Sequence, residues 1–535
     1  MSDLACLPYS AGTADEGVCL LMQIGPYRLM LDCGMRDISP LLASGGRPAD
    51  FVFCSHAHSD HAAGLLALRA AFPDLPIYAS EVTAQLLPLA WRDRVPAPTA
   101  SWFQGIPWRQ AIALAEGLTI KLFPAGHLPG AALALVVYRA PNGRTYRVVY
   151  TGDFFLSGER LVDGLPLAEV RSLQPDVLIL EGGYGTARHP RRRNQENQLA
   201  ERIRHLLGAG RSVLMPLPML GLGQELLMLL RSHHYFTGRD FTIWVDEAIA
   251  AGCDAYLAIV DELPSSVQNF ARHQNLFWDE RVLPRVRRLH SKRDGRPGDR
   301  PCLVLADYTK PLDRYFDRGE WSILLSDTGP ESLNDRAFEV AVRYGTPLEF
   351  YMLSEHCDVL GTLQLVHNLR PQHAILVHGA REDLADLAGI EELNSRYQLH
   401  CPKDGSRLEL PIGEVFIQPA APVDRYEGDL VKTADGVTLH LPEDIIHNSR
   451  WQALAETGAI EVRWQGNELA IRGLSQKELI EREGRQWVPP GLNCCQTCRY
   501  YRKRHCRNPE SPLAQRQVDP TGCCPLFQRM SEKSR

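Results

Sequence analysis

The chain has 535 residues, 44% hydrophobic and 23% charged, with a formal net charge of -6. That length exceeds what one hydrophobic core serves, so several domains are expected, and the composition excludes a disordered or fibrous chain. No apolar run is long enough to span a bilayer and Met1-Ser2-Asp3 opens no signal peptide, so a cytoplasmic location is the default expectation. The overall charge does not mark a nucleic-acid binder, although residues 281–300 hold eight Lys/Arg and Arg188 with Arg191-Arg192-Arg193 make a second basic spot. As charge runs alone, both read as solvated loops.

In chain order, Val18–Ile24 and Arg28–Leu31 read as strands joined at Gly25-Pro26, the second ending at Asp32. A short buried strand at 51–54 precedes a helical stretch at 61–72, and strands follow near 118–123 and 132–138. Asn142-Gly143 signals a hairpin whose returning strand is Tyr146–Tyr150. Strands with helices between them predict an α/β sandwich. After Gly185 the pattern changes to helices at Leu199–Leu207 and Gln224–Leu230, with buried strands at Val213–Leu217, Trp244–Asp246 and Cys302–Ala306, which suggests an inserted α/β module. Strands return at Leu348–Leu353 and Ala374–Val377, each followed closely by a histidine. Residues 413–490 read as a small mixed region and 491–535 as a Cys-rich tail.

The densest chemical signal is His56-Ala57-His58-Ser59-Asp60-His61, set just after an apolar strand. Imidazole and carboxylate suit a borderline cation such as zinc, and H-x-H-x-D-H lets the first two histidines serve one metal while Asp60 and His61 turn to another. Four more apolar runs end in a polar residue: Asp32, His127 after Pro124-Ala125-Gly126, Asp153 after Val148–Gly152, and His378 after Ile375-Leu376-Val377. Singly each has a structural explanation as a cap or satisfied core group; together they complete two metal sites.

In order and setting, Asp32, His56-x-His58-x-Asp60-His61, His127 and Asp153 resemble the four motifs of the metallo-β-lactamase fold. Leu180-Glu181, Ser354-Glu355-His356-Cys357-Asp358 and Val377-His378-Gly379 resemble motifs A, B and C of its β-CASP branch of nucleic-acid-processing nucleases, over roughly residues 10–410. The resemblance implies an αββα sandwich in two parts, 1–187 and 349–412, with a β-CASP insert at 188–348. A histidine at motif C points to RNA, and the form of motif B is similar to that of the cleavage-and-polyadenylation endonuclease group and its prokaryotic relatives.

Carried over residue by residue, the resemblance implies that His56, His58 and His127 hold one zinc and Asp60, His61 and His378 the other, with Asp153 bridging. A hydroxide activated by both zincs would attack the scissile phosphorus. His356 would protonate the leaving oxygen, Glu181 would hold that imidazole, and Asp32 would orient a ligand histidine. Two departures lie in the insert: Leu222 stands where the family often has Arg, and Ala306-Asp307-Tyr308-Thr309-Lys310 replaces a small-residue loop.

Six of the fourteen cysteines (Cys494, Cys495, Cys498, Cys506, Cys523 and Cys524) fall in the tail, and 45 residues fold around little else without a metal. Cys495, Cys498, Cys506 and Cys523 are the expected ligand set, for a structural zinc or for a [4Fe–4S] cluster similar to those of small high-potential-type domains. The reading is a zinc-dependent ribonuclease, endonuclease in preference to 5′ exonuclease, acting on an RNA substrate with no membrane partner; a homodimer is allowed for. The alternatives are a hydrolase of a small ester or thioester, which has no need of motifs A and B, and a non-catalytic RNA-binding β-CASP subunit, which would have lost ligands.

Overall fold

The computed structural model divides into two compact units, Met1–Gly413 and Glu414–Arg535. It describes residues 3–413 apart from 14–15, 44, 93–99, 290–296 and 327–330; later come the backbones of four strands between 429 and 473, and 495, 498–511, 513–518 and 526–528. Of the tail cysteines, Cys494, Cys523 and Cys524 lie outside the described residues. No helix among the described residues is long and apolar enough to cross a membrane.

The first unit is built on two seven-stranded sheets and one six-stranded sheet. In the first sheet Leu408–Glu409, Leu4–Ala11, Val18–Ile24 and Tyr27–Leu31 run antiparallel, and Phe51–Phe53, Ile77–Ser80 and Gln104–Ile106 continue it in parallel. The second sheet runs Gln398–His400, His373–Val377, Val177–Glu181, Thr145–Tyr150, Ala132–Arg139, Leu118–Pro124, Ala111–Ala115. Their facing sides form one buried cluster: Leu20, Met22, Leu29, Leu31 and Phe53 meet Ile120, Val136, Val148, Ile179 and Ile375. The alternation along Val18–Ile24 explains this, because Val18, Leu20, Met22 and Ile24 fall on the sandwich side while Cys19 packs in the cluster of the opposite face. Helices cover the outer faces, which gives the expected αββα sandwich.

The third sheet is wholly parallel, in the order Arg285–Arg288, Thr242–Val245, Leu303–Asp307, Ser212–Leu217, Trp321–Ser326, Leu348–Tyr351. Its inner strands, buried on both faces, read as continuous apolar runs such as Ser212–Leu217 and Trp321–Ser326. The helix read at Leu199–Leu207 extends to Arg192–Gly208. The stretch read as one helix at 61–72 is two, Ser59–Ala62 and Leu65–Ala71. The break falls at Gly64, whose amide donates to the Cys33 carbonyl at 2.8 Å rather than continuing the first helix. Part of the basic run at 281–300 is likewise no loop: Arg285–Arg288 is a sheet strand, with Arg285 and Arg288 paired to Asp240 and Asp254. Lys292, Arg293 and Arg296 lie outside the described residues.

The second unit contains hairpins Asp429–Thr433 with Gly436–His440 and Ile460–Gln465 with Glu468–Gly473, and a short one of Tyr501–Arg502 with His505–Cys506.

Candidate metal centre

Most polar residues of the centre stand at or just beyond a strand's C-terminal end, where the ladder stops and a side chain can turn off the sandwich, while Asp60 and His61 ride on the short helix Ser59–Ala62. Asp32 follows Tyr27–Leu31 with φ 58, and His378 follows His373–Val377 with φ 55. Both are left-handed conformations that cost a non-glycine residue free energy and persist where surroundings impose them. The imposing bonds are visible: Asp32 N–H donates to the Phe53 carbonyl at 2.8 Å and His378 N–H to that of Ala11 at 2.7 Å. The helix Ser59–Ala62 carrying Asp60 is pressed against Gly17 and Gly34, where an added Cβ would lie 2.1 and 1.7 Å from the Asp60 carbonyl oxygen. Only glycine fits at either place.

The structure brings all seven candidate ligands together. His56, His58, His127 and Asp153 offer donor atoms within 4.8 Å of one another, and so do Asp60, His61 and His378. Asp153 faces both sets. Its Oδ2 lies 3.4 Å from His56 Nε2 and 3.7 Å from His127 Nε2, while its Oδ1 lies 3.2 Å from His61 Nε2 and 3.4 Å from His378 Nε2. His378 Nε2 is also 3.6 Å from Asp60 Oδ2.

The far side of each ring explains its aim. His61 Nδ1 donates to Asp32 Oδ2 at 2.7 Å, which leaves Nε2 for the centre. Asp32 is itself fixed, accepting from Ser55 N–H, the Ser55 hydroxyl and the Tyr150 hydroxyl at 2.6, 2.7 and 2.5 Å. His127 Nδ1 sits 3.0 Å from the Glu355 carbonyl oxygen, and His58 Nε2 sits 3.3 Å from the Leu220 carbonyl oxygen. The first set is therefore oriented from the motif-B loop and from the turn before helix Leu222–Ser232.

The polar atoms left over fit a cation. His56 Nε2, His61 Nε2 and Asp153 Oδ1 are buried without a hydrogen bond among the described residues. Unpaired polar atoms in such a place cost free energy that a bound divalent ion would offset. Burial holds the imidazoles of His56 and His127 well below their ordinary range, so both stay neutral, the form that ligates. Burial would raise the Asp153 carboxyl, but His378, His61 and His56 around it hold it well below.

Beside this centre, His356 Nδ1 lies 2.7 Å from Glu181 Oε2 and 3.9 Å from Asp153 Oδ2. Burial works against charging that imidazole, but the Glu181 carboxylate overcomes it and pushes the group up to about 10. The other Glu181 oxygen accepts from the Phe154 amide at 2.7 Å, so the carboxylate is itself held in place.

Sequence reasoning missed a polar seam behind His356. Glu159, Glu196, Glu225 and Glu355 meet there with Arg160 and Arg192. Arg192 pairs with Glu159 and Glu196 and donates to the Ser354 carbonyl at 2.8 Å, so this member of the basic spot turns inward. Glu225 caps the Arg160 and Leu161 amides at 3.0 and 2.6 Å. Burial pushes the Glu355 carboxyl up to about 8. The one available signal was an acid, Glu225, inside the apolar run Leu222–Leu230. The altered 306–310 loop brings Tyr308 toward the centre: burial, then the charges of Asp60 and Asp307, push its phenol up. Of the tail ligand candidates, the structure places Cys495, Cys498 and Cys506 together around one cavity.

The family model of the metallo-beta-lactamase superfamily matches residues 12–212. An uncharacterized protein of Synechocystis sp. is 45% identical over 99% of this chain and 98% of its own length. The endoribonuclease YSH1 of Mycosarcoma maydis is 25% identical over 74% of this chain and 50% of its own, so the chain spans about half the length of that relative. A solved structure from Enterococcus faecalis, of a protein of unknown function, superposes with a TM-score of 0.50 at 14% identity, over 76% of this chain and 99% of its own, a likeness of fold.

Proposed function

The chain belongs to the metallo-β-lactamase superfamily, in its β-CASP branch of metal-dependent hydrolases, and from that premise we propose that it is a two-zinc ribonuclease cutting RNA phosphodiester bonds, preferably internally. One observation carries the reading: Asp153 turns one carboxylate oxygen to each of two histidine sets, with a Glu181-held imidazole at its edge. A single-metal site has no use for that arrangement.

His56, His58 and His127 would hold one zinc, Asp60, His61 and His378 the other, and Asp153 both. When bound, the metals supply Lewis acidity, which acidifies water and offsets charge gathering on the scissile phosphate. The chain's own residues do the rest. His356, with Nδ1 fixed on Glu181, presents Nε2 as the acid that protonates the departing oxygen, and Glu181 keeps the ring charged for that purpose. Asp32 positions His61 without facing the scissile bond. A small-ester hydrolase would need neither His356 nor Glu181, and a non-catalytic RNA binder would not need the orphaned donors kept in place.

The test is cleavage of an end-labelled single-stranded RNA and its DNA counterpart by metal-analysed full-length protein, beside Asp60→Ala. RNA cutting lost in the variant is the expected result, and the product ladder separates internal from end-directed attack. Cutting that survives Asp60→Ala, or a protein with two zincs that cuts no RNA, would overturn the proposal.

A further inference from the structure

Residues 498–518 hold six Lys/Arg (Arg499, Arg502, Lys503, Arg504, Arg507 and Arg516) against one acid, Glu510, in a chain whose formal net charge is -6. All six but Arg516 are exposed. In the first unit surface arginines sit against acids, as Arg109 does on Glu169, Arg318 on Asp299 and Arg407 on Glu409. The five exposed cations of the tail have no such partner among the described residues. Arg502 donates to the Tyr501 carbonyl at 2.9 Å, Arg507 donates to the Gln515 side-chain oxygen, and Arg499 lies over the Tyr500 ring. None of these contacts neutralises a charge.

The backbone holds three of the cations at one tip. Tyr501 pairs with Cys506 and Arg502 with His505, which leaves Lys503 and Arg504 as the two-residue turn of the hairpin. Their φ values of 47 and 64 are left-handed, a conformation that such turns usually give to Asn and Gly. Lysine and arginine adopt it at a conformational cost, and neighbouring like charges add repulsion until a counter-charge meets them. The turn is nonetheless tied down. Val518 N–H donates to the Arg504 carbonyl at 2.7 Å, Gln515 N–H donates to the Cys506 carbonyl at 2.7 Å, and the Lys503 carbonyl oxygen lies 2.9 Å from His505 Nδ1. Strain held in place by surrounding bonds, at a tip made of cations, is the mark of a surface built to meet an anion.

The chemistry of the patch selects among anionic partners. A membrane-surface face sets large apolar side chains beside its cations, and those exposed among the described residues all lie in the first unit. Five of the six cations are arginines, whose planar forks match phosphate oxygens in pairs. Arg499 stands 4.9 Å from the centre of the Tyr500 ring, a pairing of cation and ring of the kind on which unstacked bases rest. We propose that the hairpin tip Arg502-Lys503-Arg504, flanked by Arg499 and Arg507, docks the phosphate backbone of single-stranded RNA, as a binding surface additional to the metal centre. The choice of RNA among polyanions rests on the ribonuclease reading above.

The experiment measures binding of a fluorescent single-stranded RNA to the full-length chain over a range of salt, in Asp60→Ala protein so that the RNA stays whole. Arg502→Gln, Lys503→Asn and Arg504→Asn are combined, because asparagine tolerates the left-handed turn. Three lost phosphate contacts should lower the slope of log affinity against log salt by about 2, which is roughly a 100-fold loss at 0.1 M salt. Arg502→Lys with Arg504→Lys, which keeps the charge, should retain the slope. Arg499→Gln with Arg507→Gln leaves the turn untouched and should lower the slope by about 1, so a triple variant that fails to fold does not end the test. Affinity and slope unchanged in the neutralised variants overturn the proposal, as does binding to vesicles of anionic phospholipid in place of RNA. Cleavage is read separately with the tail variants in otherwise wild-type protein. RNA bound through the hairpin but never cut would sink the ribonuclease reading alone, and RNA cut by a protein whose binding ignores the hairpin would sink this one alone.

Discussion

The histidine centre and the cysteine tail both gather metal-seeking side chains, but they are held in opposite ways. His56, His61 and Asp153 are at most 1% exposed and hang from strands whose other residues fill a large sandwich core. The tail has three described core residues, one of them Cys495. In the first region a large apolar core surrounds the unpaired donors, so the scaffold is expected to hold them in a buried place. In the second so small a described apolar core contributes little of that stability. Removing metal with a chelator should therefore abolish RNA cleavage by the first region while circular dichroism still shows it folded.

The sharpest break of that contrast is Asp153→Ala. It removes the carboxylate facing both histidine sets, so RNA cleavage should fall well beyond the ~10–100-fold that outer partners of a metal are worth. Circular dichroism should still show a folded sandwich, because the lost group belongs to the site and not to the core. A variant that unfolds would mean the centre is a structural element, and the contrast with the tail would collapse.

Next in size is His356→Ala. Loss of a general acid costs about 10²–10⁴-fold in kcat, while zinc content should be unchanged, since the ring's Nδ1 is engaged by Glu181. Glu181→Gln should cost less, because the amide oxygen still accepts from Nδ1 but no longer holds the ring charged. A His356→Ala protein of full activity would assign proton transfer elsewhere.

Much of the first region was legible in the sequence because its ligands follow apolar strands and keep close spacing, as in His56–His61. The sandwich was legible for the same reason: Val18–Ile24 alternates. What could not be read was long-range. Tyr150 was visible only as the end of a strand, yet its hydroxyl holds Asp32 across 118 positions. The carbonyls of Leu220 and Glu355 have no side-chain signature at all. Arg192 looked like part of a basic run, and only the packed seam turns it inward. The strands Leu4–Ala11 and Ile77–Ser80 carry mixed patterns that the sheet, not local propensity, makes into strands.

A smaller effect sharpens the comparison inside the centre. Asp32 aims His61 through a 2.7 Å bond and is itself pinned by Ser55 and Tyr150. Asp32→Asn keeps the shape but weakens the charge-assisted hold, so affinity for the metal served by His61 should drop by about 10–100-fold. Competition with a graded chelator would read this as one metal lost early and the other retained. Equal loss of both would show that the two histidine sets act as a single unit.

The smallest expected effect tests how far the centre depends on the seam behind it. The Glu355 carboxyl is buried, accepts from the Leu222 amide at the head of helix Leu222–Ser232, and lies against Gly221. Its backbone carbonyl, which orients His127, survives any side-chain change. Glu355→Ala should therefore lower stability by about 1–3 kcal/mol, the cost of leaving a buried donor unpaired, and leave zinc content alone. Glu355→Gln, which keeps an acceptor oxygen, should melt close to wild type. If Glu355→Ala instead lost zinc while melting normally, the seam would be tuning the metal centre through its side chains and not only through the backbone carbonyls.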